Sequence, residues 1–281
     1  MMMFFDGFTL DEIGPLRMRV GGAGPPLLLL HGQAQTHAMW HAVAGRLADR
    51  FTLICPDLPP HLNETVLASD MLALMTRLGH DQFQVAGHDL GAHVACHMAL
   101  DAPERVIRLA NLEIVPVPEH MNRADMAYSL ASYASCWFGQ LHPKPEALVM
   151  HAPEEWFHAH AADEATAFFH PEAVADYVRA DAGFANKPEH GLPPDSRTAP
   201  YPGQSRRRLR LTCPVLVLWG SKGRIGGWYD PLLLWRECVD NTVSGGPVVA
   251  RHFLAEEAPD MVAAAFRHFF VENRAPGPDL A

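Results

Sequence analysis

Short apolar runs alternate with longer amphipathic stretches through the first 115 residues. Residues 26–30, 51–55, 83–86 and 106–115 are apolar runs that predict buried strands, while 66–78 and 92–100 carry the three-to-four-residue period of helices. Strands and helices in strict alternation predict an α/β fold, with a mainly parallel sheet covered by helices on both faces. Ligand sites on such sheets lie at the carboxyl ends of the strands. After Pro116 the texture changes. Helical runs rich in Ala, His and aromatics (123–140, 146–151, 162–169, 171–180) give way to a Pro/Gly-rich stretch at 187–203. Its length suits an inserted subdomain better than a loop. The run 213–220 then restores a buried strand, followed by a helical 229–239, a strand-like 247–250 and a closing helix over 259–270. The expected organisation is a first core part at 1–116, a helical cap at 117–205 and a second core part at 206–281.

The most informative junction is Gly87-His88-Asp89-Leu90-Gly91, set between the strand at 83–86 and the helix at 92–100. It has the form of a nucleophile elbow, G-x-S-x-G, with Asp in place of Ser. A carboxylate there is suited to attack a saturated electrophilic carbon, giving an alkyl ester of the enzyme that water must then cleave. The simpler role for such an Asp is to cap the helix that follows. The flanking glycines favour the elbow.

Ester cleavage needs a base for water, an acid to orient that base, and donors for the oxyanion. The base is expected just beyond the last strand, where His252 stands; His268 falls inside the closing helix. The acid has two customary places, after the sixth or the seventh strand. The later one reads Gly220-Ser221-Lys222-Gly223 and offers no carboxylate before Asp230, which suits a helix start. The earlier one holds Glu113 within Leu112-Glu113-Ile114-Val115, a charge that is costly to bury unpaired. Glu113 is therefore assigned to His252. The expected oxyanion donors are the backbone N–H groups of Leu90 and Gln33, with the Gln33 amide also directed at a leaving group. His31 and His88 read as structural residues of their turns.

Composition narrows the partners. Apolar residues make up 48% and charged residues 19% of the 281 positions, and the net charge is −10. That balance argues against nucleic acid or an anionic membrane as the main partner. The basic run 206–210 reads as a solvated face, not a phosphate site. Five scattered cysteines form neither a disulfide framework nor a metal signature. No apolar run is long enough to span a bilayer. These features point to a soluble cytoplasmic protein that needs no cofactor or metal, takes a small-molecule substrate, and has scope for a homodimer.

With these residues in place the sequence resembles the haloacetate (fluoroacetate) dehalogenases of the α/β-hydrolase superfamily, and more distantly the haloalkane dehalogenases and epoxide hydrolases. The resemblance runs through 31–40, Gly87-His88-Asp89, 98–106, Ile114-Val115-Pro116, 220–223 and 252–259. It implies hydrolysis through a covalent ester on Asp89, with an organic halide or an epoxide as substrate. A non-hydrolytic relative that only binds a ligand is the remaining alternative. In the haloacetate enzymes the elbow continues Asp-Arg-Gly-x-Arg, and both arginines hold the substrate carboxylate; here Leu90 and His93 stand in their places. A neutral or partly protonated pair is a poor substitute for a bidentate clamp. The family's halide cradle, a His-Trp pair plus a Tyr, aligns with Cys136-Trp137 and Ser196. The resemblance thus implies that Trp137 is a leaving-group residue and that His93, Cys136 and Ser196 line the pocket.

Overall fold

The computed structural model describes residues 4–14, 16–59, 63–116, 168–185 and 210–272. An antiparallel hairpin opens the chain: β1 (Phe8–Ile13) and β2 (Leu16–Gly22). Next come β3 (Pro26–Leu30), α1 (His41–Leu47), β4 (Thr52–Pro56), α2 (Glu64–Arg77), β5 (Phe83–His88), α3 (Leu90–Asp101) and β6 (Val106–Leu112). Helix α4 (Pro171–Ala185) belongs to the insertion between β6 and β7. The core resumes with β7 (Val215–Gly220), α5 (Ile225–Trp228), α6 (Pro231–Arg236), β8 (Val243–Val248), α7 (Leu254–Glu257) and α8 (Pro259–Arg267).

All eight strands form one sheet in the order β1-β2-β4-β3-β5-β6-β7-β8, parallel from β4 to β8. Every side chain of β3 from Leu27 to Leu30 is fully buried, with alternate residues going to opposite faces. Leu27 and Leu29 join the α1 and α8 side chains Val43, Leu47, Val262 and Phe266. Leu28 and Leu30 join Leu67 and Met71 of α2 and Val94 and Met98 of α3. Burial on both faces explains why these strands read as continuous apolar runs. The chain leaves β3 for β4 on one side and returns to β5 on the other. A switch of direction opens a crevice at the carboxyl ends of β3 and β5.

The elements match the expectations closely where strands are buried, and differ at the edges. The hairpin β1–β2 was not anticipated, because β1 is mostly exposed and carries no apolar run. The final strand lies at 243–248 rather than 247–250: its exposed Ser244, Gly245 and Pro247 hide a strand that pairs in register with β7. The 229–239 stretch is helical only as α6, with Asp230 as its cap, accepting from Leu233 N–H at 3.0 Å. Helix α8 ends at Arg267 and gives way to a π turn over His268–Glu272. Cys55, Cys96 and Cys213 are free thiols. Arg210, the described member of the basic run, is exposed and pairs with Asp240. No helix among the described residues is long and apolar enough to cross a membrane. The rest of the expected cap, including its boundaries at 117 and 205, lies outside the described residues.

Candidate active site

Asp89 sits at the turn from β5 into α3 with φ 48° and ψ −119°, a conformation rare for a non-glycine residue. Its neighbours make that turn possible. A Cβ on Gly87 would lie 2.2 Å from the Gly91 carbonyl oxygen, and one on Gly91 would lie 2.4 Å from that of Leu30. Only glycine fits at either place. Asp89 makes no side-chain cap bond to α3, so the capping role is not what this carboxylate does. Instead its Oδ2 accepts the Gln33 backbone N–H at 3.1 Å, from the loop after β3. Burial pushes the carboxyl up, but His252, His88, the Gln33 N–H and His93 together bring it below its ordinary value. The carboxylate is thus ionised at neutral pH. Leu90 begins α3, so the start of that helix adjoins Asp89.

His252 and Glu113 meet from the ends of two other strands. Glu113, also at positive φ (59°), follows β6 directly and is almost wholly buried. Its Oε1 accepts the Gly220 N–H at 2.5 Å, and its Oε2 accepts His252 Nδ1–H at 3.2 Å. Burial lowers the His252 value, but the Glu113 hydrogen bond and the charges of Asp89 and Glu113 outweigh it, so the net shift is upward. With Nδ1 engaged by Glu113, Nε2 is the nitrogen left for proton transfer. Asp230 caps α6 as expected and takes no part.

His88 is a structural residue of the turn, as expected, and it reaches the His252 segment. It is fully buried, its ring centroid lies 4.7 Å from that of His252, and its Nε2–H donates to the His252 carbonyl at 2.8 Å. Burial and the neighbouring His252 hold it down at about 3, so it is a neutral prop for the His252 loop. His31 is a loop pin as expected: Nδ1–H donates to Gly32 O and Nε2 accepts from Leu58 N–H, both at 2.8 Å. Half-buried His93 is close enough for its charge to act on both Asp89 and Glu64. Trp137, Cys136 and Ser196, expected to complete the pocket, lie outside the described residues.

A further polar cluster was not foreseen. His37, Asp57 and Asp176 bring ligand-type atoms within 4.8 Å of one another. Asp57 Oδ1 accepts the His37 ring and backbone N–H groups at 2.7 and 2.8 Å, and Thr36 donates to Asp176 at 3.0 Å. This donor set has the residue types of hydrolytic acid–base chemistry. Its place in the fold gives it a structural role instead, because Arg17 bridges Asp57 and Asp176 and so joins α4 to the core sheet. A guanidinium already fills the space that a cation would need.

Comparison with known proteins accords with this geometry. The family described as alpha/beta hydrolase fold matches residues 25–241. A fluoroacetate dehalogenase of Burkholderia sp is 31% identical, with 96% of each chain covered. A soluble epoxide hydrolase of Corynebacterium sp. (strain C12) is 28% identical over 90% of this chain and 92% of its own. Among solved structures, a candidate epoxide hydrolase from Pseudomonas aeruginosa superposes with a TM-score of 0.86 at 32% identity, covering 97% of this chain and 98% of its own. A sheet with this order and an elbow at its switch point defines an α/β-hydrolase-type enzyme, and the chain belongs to the alpha/beta hydrolase fold family. Within that family it is homologous to fluoroacetate dehalogenases and epoxide hydrolases. The fold and these homologues indicate a catalytically active α/β-hydrolase-type enzyme.

The Glu113–His252 contact leads to a prediction. Glu113→Gln removes a charge that favours the imidazolium, so the acid limb of the pH–rate profile moves to lower pH. With His252 as the base, the maximal rate is expected to fall by roughly 10²-fold or more, because an amide would not orient and charge-stabilise the imidazolium as Glu113 does. A pH profile of kcat for both proteins measures each effect.

Proposed function

We propose that the enzyme hydrolyses an electrophilic carbon centre through an alkyl ester on Asp89, with carbon–halide cleavage as the reaction. The observation that carries this reading is the ionised carboxylate held on a strained elbow, with one oxygen already on a backbone donor. With Oδ2 on the Gln33 N–H, Oδ1 is the attacking atom. The new C–O bond forms as the carbon–halogen bond breaks, and halide leaves with the electron pair. Oδ2 becomes the ester carbonyl oxygen. Water then adds to Cγ, giving its proton to His252 Nε2, and the oxyanion develops on Oδ2, where the Gln33 donor stands. Collapse returns the proton to the departing alkoxide and regenerates the carboxyl group. Gln33 and Trp137 are assigned to the leaving group, and Leu90 N–H to the oxyanion. Leu90 and His93, in place of two arginines, favour a substrate less anionic than fluoroacetate.

Epoxide opening by the same Asp89 is the second reading. It is favoured by the 32% identity to the Pseudomonas aeruginosa structure and by the Corynebacterium relative. A halide-release and diol-formation screen over haloacids, haloalkanes and epoxides separates the two. For the substrate that reacts, one turnover in heavy-oxygen water should leave the product oxygen unlabelled and put the label in Asp89. A labelled product with unlabelled Asp89 means that water attacks the substrate directly, and both readings fail.

A further inference from the structure

Glu256 lies on α7, four residues beyond His252, and is nearly inaccessible. Its Oε1 accepts the Tyr177 hydroxyl at 2.8 Å, and its Oε2 accepts the Gln35 side-chain N–H at 2.8 Å. Each partner belongs to a different functional segment. Tyr177, also buried, is on α4 of the insertion. Gln35 is two residues beyond Gln33, whose N–H holds the nucleophile, and its own backbone N–H donates to Gly32 O at 3.2 Å. One carboxyl group therefore joins the His252 segment, the Gln33 loop and the inserted helix.

We propose that Glu256 is a positioning residue that locks α4 and the Gln33–Thr36 loop onto the His252 segment, and that the lock is tightest when its carboxyl group is protonated. This rests on the reading of Asp89, Gln33 and His252 as the reacting groups.

The surroundings explain the preference for the neutral form. The groups that face Glu256 are Tyr177 from α4 and Gln35 from the loop, neutral donors whose hydrogen bonds favour the carboxylate and are outweighed by burial. Burial, and then the Glu256 carboxyl that accepts its hydrogen, push the Tyr177 phenol far up, so it remains a donor. Asp176, next to Tyr177, is engaged by Arg17. Glu257, on α7 itself, receives the Arg251 and Phe253 N–H groups and adds repulsion. Burial, with that repulsion, raises the Glu256 carboxyl to about 8. Gln35 Oε1 is buried with no hydrogen-bond partner. With the Gln35 amide turned over, a protonated Oε2–H can donate to that oxygen in place of the Nε2–H that Oε2 now accepts.

The sign follows from linkage. A carboxyl group whose value is higher in the docked state contributes its full stabilisation below the ordinary carboxylate range. That contribution is lost as pH rises towards about 8 and stays lost above it. Gln at this position keeps an acceptor for Tyr177 and a donor for Gln35 Oε1 at every pH, so it mimics the protonated lock.

Amide hydrogen exchange of the full chain over residues 32–36 and 171–185, corrected for intrinsic rates, tests the lock without any substrate. In the natural protein, protection of both segments should fall several-fold between about pH 6 and about pH 9. Glu256→Gln should remain protected across that range, and Tyr177→Phe should lose protection of 171–185 at the acid end. Tyr177→Phe keeps the ring in the core, so it also guards against a Glu256 variant that fails to fold. For the substrate found by the screen, Glu256→Gln should hold its KM at high pH while that of the natural protein rises. The proposal is overturned if the pH dependence of exchange persists in Glu256→Gln, or if Tyr177→Phe leaves protection unchanged. The exchange result does not depend on turnover, so a failure of the ester chemistry would appear separately, in the oxygen-labelling experiment.

Discussion

Asp89→Asn is expected to reduce turnover by roughly 10⁴-fold or more while leaving the fold in place. The loss follows from chemistry: an amide oxygen is too weak a nucleophile to displace a leaving group from carbon, and no other carboxylate is held at the elbow. The retained fold follows from geometry. Asn is among the side chains that tolerate positive φ best, so the strain at φ 48° is little changed. Its amide oxygen can keep the Gln33 N–H bond. Product release over the screened substrates, read beside circular dichroism and the melting temperature, checks both halves. A folded variant that retains a tenth of the natural turnover removes Asp89 from the nucleophile role, and the covalent reading with it.

How much of this was legible in the sequence depended on whether the signal was local. The elbow was readable because the requirement is itself local: Gly87 and Gly91 sit within two residues of Asp89, and their Cβ atoms would collide with backbone a few ångströms away. The buried strands were readable because both faces of β3 to β7 are covered. Glu113 betrayed itself by being a charge in an apolar run, and its partner followed from strand order. The edge elements were not readable, since β1 and β8 are exposed and their pairing owes nothing to apolar periodicity. Nor was the polar joint between insertion and core. Gln35 and Glu256 are 221 residues apart, Arg17 and Asp176 are 159 apart, and no local pattern relates either pair. Their signature is a cost of burial that becomes visible only when the partner is in place.

His252→Gln should show the largest separation between the two halves of the reaction. Attack by Asp89 on carbon needs no base, so the alkyl-enzyme should still form, whereas its hydrolysis should slow by roughly 10²–10⁴-fold without a group to take the proton from water. The intermediate then accumulates, and the intact protein gains the mass of the substrate less its leaving group, with one equivalent of halide released in a burst. For an epoxide the whole substrate mass is added and no halide appears, so one spectrum also decides the leaving group. Part of the natural enzyme's poise is lost too. His252 contributes to holding Asp89 below its ordinary value, so in the variant the carboxyl rises and ester formation should need a higher pH than in the natural enzyme. Glu113 loses its Nδ1–H partner but keeps the Gly220 N–H at 2.5 Å, so the end of β6 stays ordered and the slow step can be assigned to chemistry. Steady turnover at the natural rate, with no mass increase, would show that water is activated elsewhere.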